Sequence, residues 1–168
     1  MASGTADLAK PKRWGPPFST TFFERIVYGN DAKLNQKVRP TFILSTGFSG
    51  AESGGIQIGD TVVIFAQGPI GLCATAGARL RGAGQIIVVD SVENRLQMSR
   101  KLGADVTVNF KDGNPVEAIM RLTESRGVDV AIEALGTQQT FESSLRVLKP
   151  GGTLCRAWAS TQRDSPFR

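Results

Sequence analysis

Residues Val62-Val63-Ile64-Phe65-Ala66 form a short apolar run rich in β-branched side chains. It stops abruptly at Gln67-Gly68-Pro69-Ile70-Gly71-Leu72, and nineteen residues after Gly71 a second such run, Gln85 to Asp90, ends on an acid. A strand that delivers the backbone to a glycine turn, a helix that opens from the turn, and an acidic residue at the tip of the next strand leave few folds open. The pattern is that of a βαβ unit whose helix N-terminus, with unpaired N–H groups and the positive end of the helix dipole, attracts a pyrophosphate. Asp90 then falls where it can accept two hydrogen bonds from an adenosine ribose.

Each turn residue has a mechanical reading. Gly68 lets a phosphate approach where a Cβ would intrude, and Gly71 lets the helix pack tightly against the strand. Pro69 costs nothing, because the first helical turn has no intrahelical partner for the N–H that proline lacks. The first position of G-x-G-x-x-G holds Ala66, which is compatible with the motif if that residue keeps a negative φ.

From Gly59 onward, short β-branched runs alternate with longer amphipathic ones, the rhythm of a parallel α/β sheet. Strands are expected at Thr61 to Ala66, Gln85 to Asp90, Val106 to Asn109, Val128 to Glu133 and Gly152 to Cys155. Helices are expected at Pro69 to Arg81, Val92 to Leu102, Pro115 to Ser125 and Gln138 to Leu148. Gly82, Gly103 and Gly127 are placed to end helices, and Lys149-Pro150-Gly151-Gly152 reads as a turn. The expected architecture is α/β: a doubly wound, Rossmann-type parallel sheet of about five strands over residues 41–155. Residues 1–40, interrupted by Gly15-Pro16-Pro17, read as an irregular arm, and residues 156–168 as a disordered tail.

The formal charge of +5 would suggest an acidic partner if it were spread over the fold. It is not: residues 1–40 carry 7 basic against 3 acidic side chains, residues 156–168 carry 3 against 1, and the stretch between them 10 against 11. No aromatic and basic interleaving accompanies the charge, so a nucleic-acid partner is not expected. No apolar run approaches the ~20 residues that span a bilayer, and the first twenty residues lack an apolar signal core, so neither a membrane nor export is expected. Cys73 and Cys155 lack metal-type spacing and read as buried thiols in a reduced, cytoplasmic compartment.

Longer stretches resemble a known family. Ser45-Thr46-Gly47-Phe48-Ser49-Gly50-Ala51-Glu52, Ile58-Gly59-Asp60-Thr61-Val62-Val63-Ile64-Phe65, Gly68-Pro69-Ile70-Gly71, Leu102-Gly103-Ala104-Asp105, Gly127-Val128-Asp129-Val130 and Leu148-Lys149-Pro150-Gly151-Gly152 are together similar to the middle of medium-chain zinc-dependent alcohol dehydrogenases, secondary-alcohol enzymes in particular. The resemblance covers about residues 43–155 and implies the NAD-binding domain of an oxidoreductase that moves a hydride between an alcohol and nicotinamide. It implies that Gly68, Pro69, Ile70 and Gly71 line the pyrophosphate, that Asp90 holds the ribose with Arg95 beside it, and that Ala134, Leu135 and Gly136 sit against the adenosine. Thr46 would approach the cofactor from the segment leading into the domain. An exposed edge of such a sheet would also offer a surface for an oligomer.

The departures bear on activity. The family's catalytic zinc is usually held by Cys, His and a third Cys or Asp, yet the chain has no histidine, and Phe42 stands where the third ligand is expected. Three protein ligands are needed around an open position, so no catalytic or metal residue is assigned, and the chain alone is expected to be inactive. Both ends of the match stop abruptly, as expected of a truncated or frame-shifted product. Two alternatives are a non-catalytic dinucleotide-binding module and an S-adenosylmethionine methyltransferase. The latter shares the glycine turn, the acid and the Leu-Lys-Pro-Gly-Gly turn, but not the Gly68-Pro69-Ile70-Gly71 helix start or the Ser45-to-Glu52 segment.

Overall fold

The computed structural model describes residues 40–157. The expected arm at 1–40 and the tail at 156–168 fall almost entirely outside the described residues, as does the side chain of Phe42. The described elements run α1 (Pro40–Ser53), β1 (Thr61–Phe65), α2 (Pro69–Leu80), β2 (Gln85–Asp90), α3 (Glu93–Lys101), β3 (Val106–Asn109), α4 (Pro115–Leu122), β4 (Val128–Glu133), α5 (Gln138–Arg146) and β5 (Leu148–Arg156). All four strand pairings are parallel, and the sheet order is β3-β2-β1-β4-β5.

Alternate residues of β1 face opposite layers, and both layers are apolar. Val62 and Ile64 join Ile86, Val88, Val130 and Ile132 against the small side chains Ala51, Ala74 and Ala78 of α1 and α2. Val63 and Phe65 join Ile87, Val89 and Ala131 against Ile119 of α4 and Val147 after α5. A strand buried on both faces needs no polar alternation, which is why the runs read as continuous hydrophobic segments. Because the chain winds from β1 outward through β2 and β3, then returns to β4 on the other side of β1, the strand order reverses between β1 and β4. In open α/β sheets ligands bind at the carboxyl ends of the strands beside such a reversal.

Three local expectations need correction. The fourteen residues of α1 form a helix that was not anticipated, since Ser45, Thr46, Gly47, Ser49 and Gly50 are weak helix formers. Packing outweighs propensity there: a Cβ on Gly47 would overlap Cys73, and one on Gly77 would come within 2.9 Å of Ala51, so small residues let α1 and α2 approach closely. Helix α4 ends at Leu122 rather than Ser125, because Glu124 and Ser125 adopt φ of 52° and 60°. Lys149 to Gly152, expected as a turn, belong to β5, and the extra residues are taken up as an irregularity of the ladder: Val128 pairs with Leu148, but Val130 pairs with Thr153. Gly151, with φ of 79°, provides the bend without ending the strand.

Candidate functional site

At the carboxyl end of β1 the chain reverses into α2 within three residues. Ala66 adopts φ of 70°, which corrects the expectation of a negative φ. A left-handed conformation costs a residue with a Cβ roughly 1–2 kcal/mol, and neighbouring contacts hold it there. The Ala66 N–H donates to the Val89 carbonyl at 2.8 Å, and the Ala66 carbonyl oxygen is packed against Gly71 so closely that a Cβ on Gly71 would overlap it. Gly71 is therefore the packing glycine that the sequence suggested.

Gly68 is different. It is the N-cap of α2 with φ −68° and ψ −177°, and no side chain caps that helix end. That backbone suits any residue, and a Cβ built there meets nothing within 4 Å. Neither conformation nor packing inside the fold requires glycine at this position. The space beside it is a cavity of about 300 Å³ lined by Ala66, Gly68, Pro69, Ile70, Arg95, Ala134 and Leu135. The structure thus gathers Gly68, Pro69, Ile70, Arg95, Ala134 and Leu135 in one cleft, between the first turns of α2 and α3 and the tip of β4.

Asp90 stands at the end of β2 and is only 4% exposed. Its Oδ2 accepts from the Gln67 N–H at 2.7 Å, and its Oδ1 accepts from Ser91 N–H at 2.7 Å and Val92 N–H at 2.9 Å. Arg95 Nη1 lies 3.7 Å from Oδ2. A carboxylate offers about four lone-pair directions, and backbone donors take three. Asp90 therefore keeps room for one further donor on Oδ2 rather than the two expected from sequence, and much of its work is to tie the β2 turn to the glycine turn.

Glu133 plays a matching part at the tip of β4 and went unnoticed in the sequence. It is fully buried. Its Oε1 accepts from Leu135 N–H, Gly136 N–H and Thr140 Oγ1, each at 2.8 Å. Its Oε2 has no hydrogen-bond partner, but Arg156 Nε lies 3.5 Å away. Gly136 therefore belongs to the loop that Glu133 shapes and does not line the cleft. Leu135, 53% exposed, also lines a second and larger cavity of about 530 Å³, whose walls include Phe110, Thr137 and Thr140. Phe110, half exposed, shares that cavity's wall with Leu135, and nothing in the sequence singles it out.

Thr46 sits elsewhere. It lines a third cavity of about 370 Å³ with Ser45, Ser49, Ser53, Cys155 and Ala157, between α1 and the end of β5. It is not among the residues that line the Gly68 cleft, although its neighbour Gly47 packs against the Ile70 carbonyl oxygen. Neither cysteine is disulfide-bonded. Burial pushes the Cys73 thiol up to about 12 and raises that of Cys155 as well, so at neutral pH both are protonated and poor nucleophiles. Among the described residues no three His, Cys, Asp or Glu side chains cluster as metal ligands do. With no histidine in the chain and both thiols packed in the core, these residues do not offer the donor set of a catalytic zinc. No described helix is long and apolar enough to cross a membrane.

Comparison with known proteins places this geometry. Residues 69–161 match the model of the zinc-binding dehydrogenase family. An alcohol dehydrogenase of Cupriavidus necator is 66% identical over 112 residues, 67% of this chain and 31% of that protein. An NADP-dependent isopropanol dehydrogenase of Thermoanaerobacter brockii is 42% identical over 144 residues, 79% of this chain and 41% of that protein. Among solved structures, a zinc-binding dehydrogenase of Sinorhizobium meliloti bound to NADP superposes with a TM-score of 0.69 at 33% identity, covering 76% of this chain and 39% of that one. A zinc-dependent alcohol dehydrogenase from Streptococcus gives 0.65 at 36% identity, over 70% and 34%. The chain thus spans 31% to 41% of the length of these relatives.

Proposed function

Because this chain belongs to the zinc-binding dehydrogenase family, we propose that its described residues form the dinucleotide site of an alcohol dehydrogenase-like oxidoreductase, with NAD as the preferred cofactor. The observation that carries the reading is the empty side of Gly68. A glycine that the fold does not need, at an uncapped helix N-terminus and beside a cleft, is explained by a group that must come closer than a Cβ allows. A pyrophosphate over Pro69 and Ile70 meets that description, and Arg95 supplies positive charge at the same mouth.

From there the ribose reaches the open lone pair of Asp90 Oδ2, and the adenine reaches Leu135 and Phe110, whose exposed apolar faces suit a flat ring. Ala134 and Gly136 shape the β4 lip between the two cavities. Thr46, beside the end of β5, is assigned to the nicotinamide side. A bound nicotinamide would supply the hydride acceptor for alcohol oxidation; this chain's own residues bind and orient it. They do not fit a zinc, and no step is assigned to one. Two buried, unbridged thiols fit a reduced compartment such as the cytoplasm, and the edge strand β5, exposed along Lys149 to Gly151, is the edge through which an oligomer would form.

The preference for NAD rests on Asp90. A 2′-phosphate would bring nearly two negative charges against its carboxylate, but Arg95 and three N–H donors already offset that charge. A discrimination of about tenfold is therefore expected, roughly 1.4 kcal/mol. Calorimetric titration of the full chain should give a dissociation constant for NAD of about 0.1–1 mM, with NADP about tenfold weaker. Equal affinities would overturn the choice of NAD. No binding of either at several millimolar would overturn the dinucleotide site itself.

A further inference from the structure

The glycine turn has a buried polar prop beneath it. Gln67 is fully buried although it lies in the turn, and Thr75, two turns into α2, is fully buried as well. Thr75 Oγ1 lies 3.0 Å from Gln67 Oε1 and 2.9 Å from the Gly71 carbonyl oxygen. On the other side of the amide, Gln67 Nε2 is 3.3 Å from the Ala66 carbonyl oxygen and 3.5 Å from that of Ile64. These neighbours fix the orientation of the amide. Turned over, it would set Oε1 against two carbonyl oxygens, so Nε2 faces the backbone of β1 and Oε1 shares the threonine proton with the Gly71 carbonyl oxygen.

A buried amide is stable only when its donors and acceptors are met, and here meeting them links three things. They are the left-handed Ala66, the first turns of α2, and, through the Gln67 backbone N–H, the carboxylate of Asp90. The residue that follows is Gly68, the one exposed to the cleft. We propose that Gln67 is a positioning residue for the cofactor: clamped by Thr75, its amide holds the Ala66–Gly68 reversal in the shape that offers the helix N-terminus to a diphosphate. The proposal deepens the dinucleotide reading given above and rests on it for its ligand.

The test uses the full chain with Gln67→Met and Thr75→Val, each close in size to the residue replaced, together with their double variant and Thr75→Ser. A diphosphate ligand feels the turn; a nucleoside without phosphate does not. Gln67→Met should therefore weaken ADP-ribose about five- to tenfold, while adenosine, followed by NMR titration, stays within about twofold. Thr75→Val should reproduce the loss, the double variant should be no weaker than Gln67→Met alone, and Thr75→Ser should restore parental binding. ADP-ribose affinity within about twofold of the parent in Gln67→Met, or equal losses for ADP-ribose and adenosine, overturns the proposal. Should Gln67→Met fail to fold, Thr75→Val removes the same contact from the other side.

Failure of the site reading is separable. If the parent binds no ADP-ribose, hydrogen exchange of the backbone amide of residue 67 in the ligand-free chain decides. Protection lowered about tenfold or more in the variants supports the clamp, and unchanged protection refutes it.

Discussion

Two buried acids, Asp90 at the tip of β2 and Glu133 at the tip of β4, flank β1 on opposite sides, and each gathers the N–H groups of the turn that follows its strand. An arginine stands 3.7 Å from the first and 3.5 Å from the second. The difference lies in how the oxygens are used. Asp90 engages both, and one of its donors, Gln67 N–H, comes from the glycine turn across the sheet, so this corner couples two loops that border the cleft. Glu133 spends one oxygen on three local donors and keeps the other for Arg156 alone. The same side-chain chemistry thus ties two loops together on one side and braces a single loop on the other, and what separates them is which loop the donors belong to.

Glu133→Leu tests the single-loop corner and should have the largest effect. It strands the Leu135 and Gly136 N–H groups in partly buried surroundings, at a cost of about 2–4 kcal/mol by urea unfolding. Asp90→Asn should cost less, about 1–2 kcal/mol, since an amide oxygen still serves Ser91 and Val92 while its NH2 opposes the Gln67 N–H. It should also bring the NAD and NADP affinities within about twofold of one another. A stability loss larger for Asp90→Asn than for Glu133→Leu would reverse the assignment of the two corners. Arg156→Met sharpens the comparison: its side chain is 42% exposed, so solvent screens the pair with Glu133, and the loss should stay below about 1 kcal/mol.

The smallest effect is expected away from both corners, at the foot of the sheet. Burial of Asp129 works against its charged form, but Lys149 and the Thr61 N–H at 2.8 Å more than offset it and hold its carboxyl below the ordinary 3.8. A depressed value in the folded state means that the unfolded chain binds the proton more readily. The contribution is therefore present above 3.8 and disappears as the pH falls through the lower folded value. The parent should lose urea stability below about pH 4 more steeply than Asp129→Asn. Identical slopes would show that the Lys149 contact contributes nothing.

Much of this was legible before any coordinates. The five strands announced themselves because a parallel sheet buried on both faces needs uninterrupted apolar runs, and Gly68, Pro69, Ile70 and Asp90 sit where strand, turn and helix periodicity must place them. Helix α1 was not legible, because its glycines and serines speak against helix on their own and make sense only against the surface of α2. Nor were Gln67 and Glu133, whose roles depend on neighbours 8 and 7 residues away or on another strand; a polar residue at the end of an apolar run was the only trace either left. The number of ribose bonds Asp90 could accept was overstated because sequence does not reveal how many backbone donors a carboxylate already serves.

The central claim is that Gly68 is glycine for the sake of a ligand, whereas Gly71 is glycine for the sake of packing. The direct measurement is calorimetric titration of Gly68→Ala with NAD, paired with its unfolding curve. At φ −68° with nothing within 4 Å of the new Cβ, alanine should leave stability within about 0.5 kcal/mol of the parent, while the dissociation constant rises about tenfold or more. A variant equally stable that binds NAD as tightly as the parent would contradict the account, since the open side of Gly68 would then hold no phosphate.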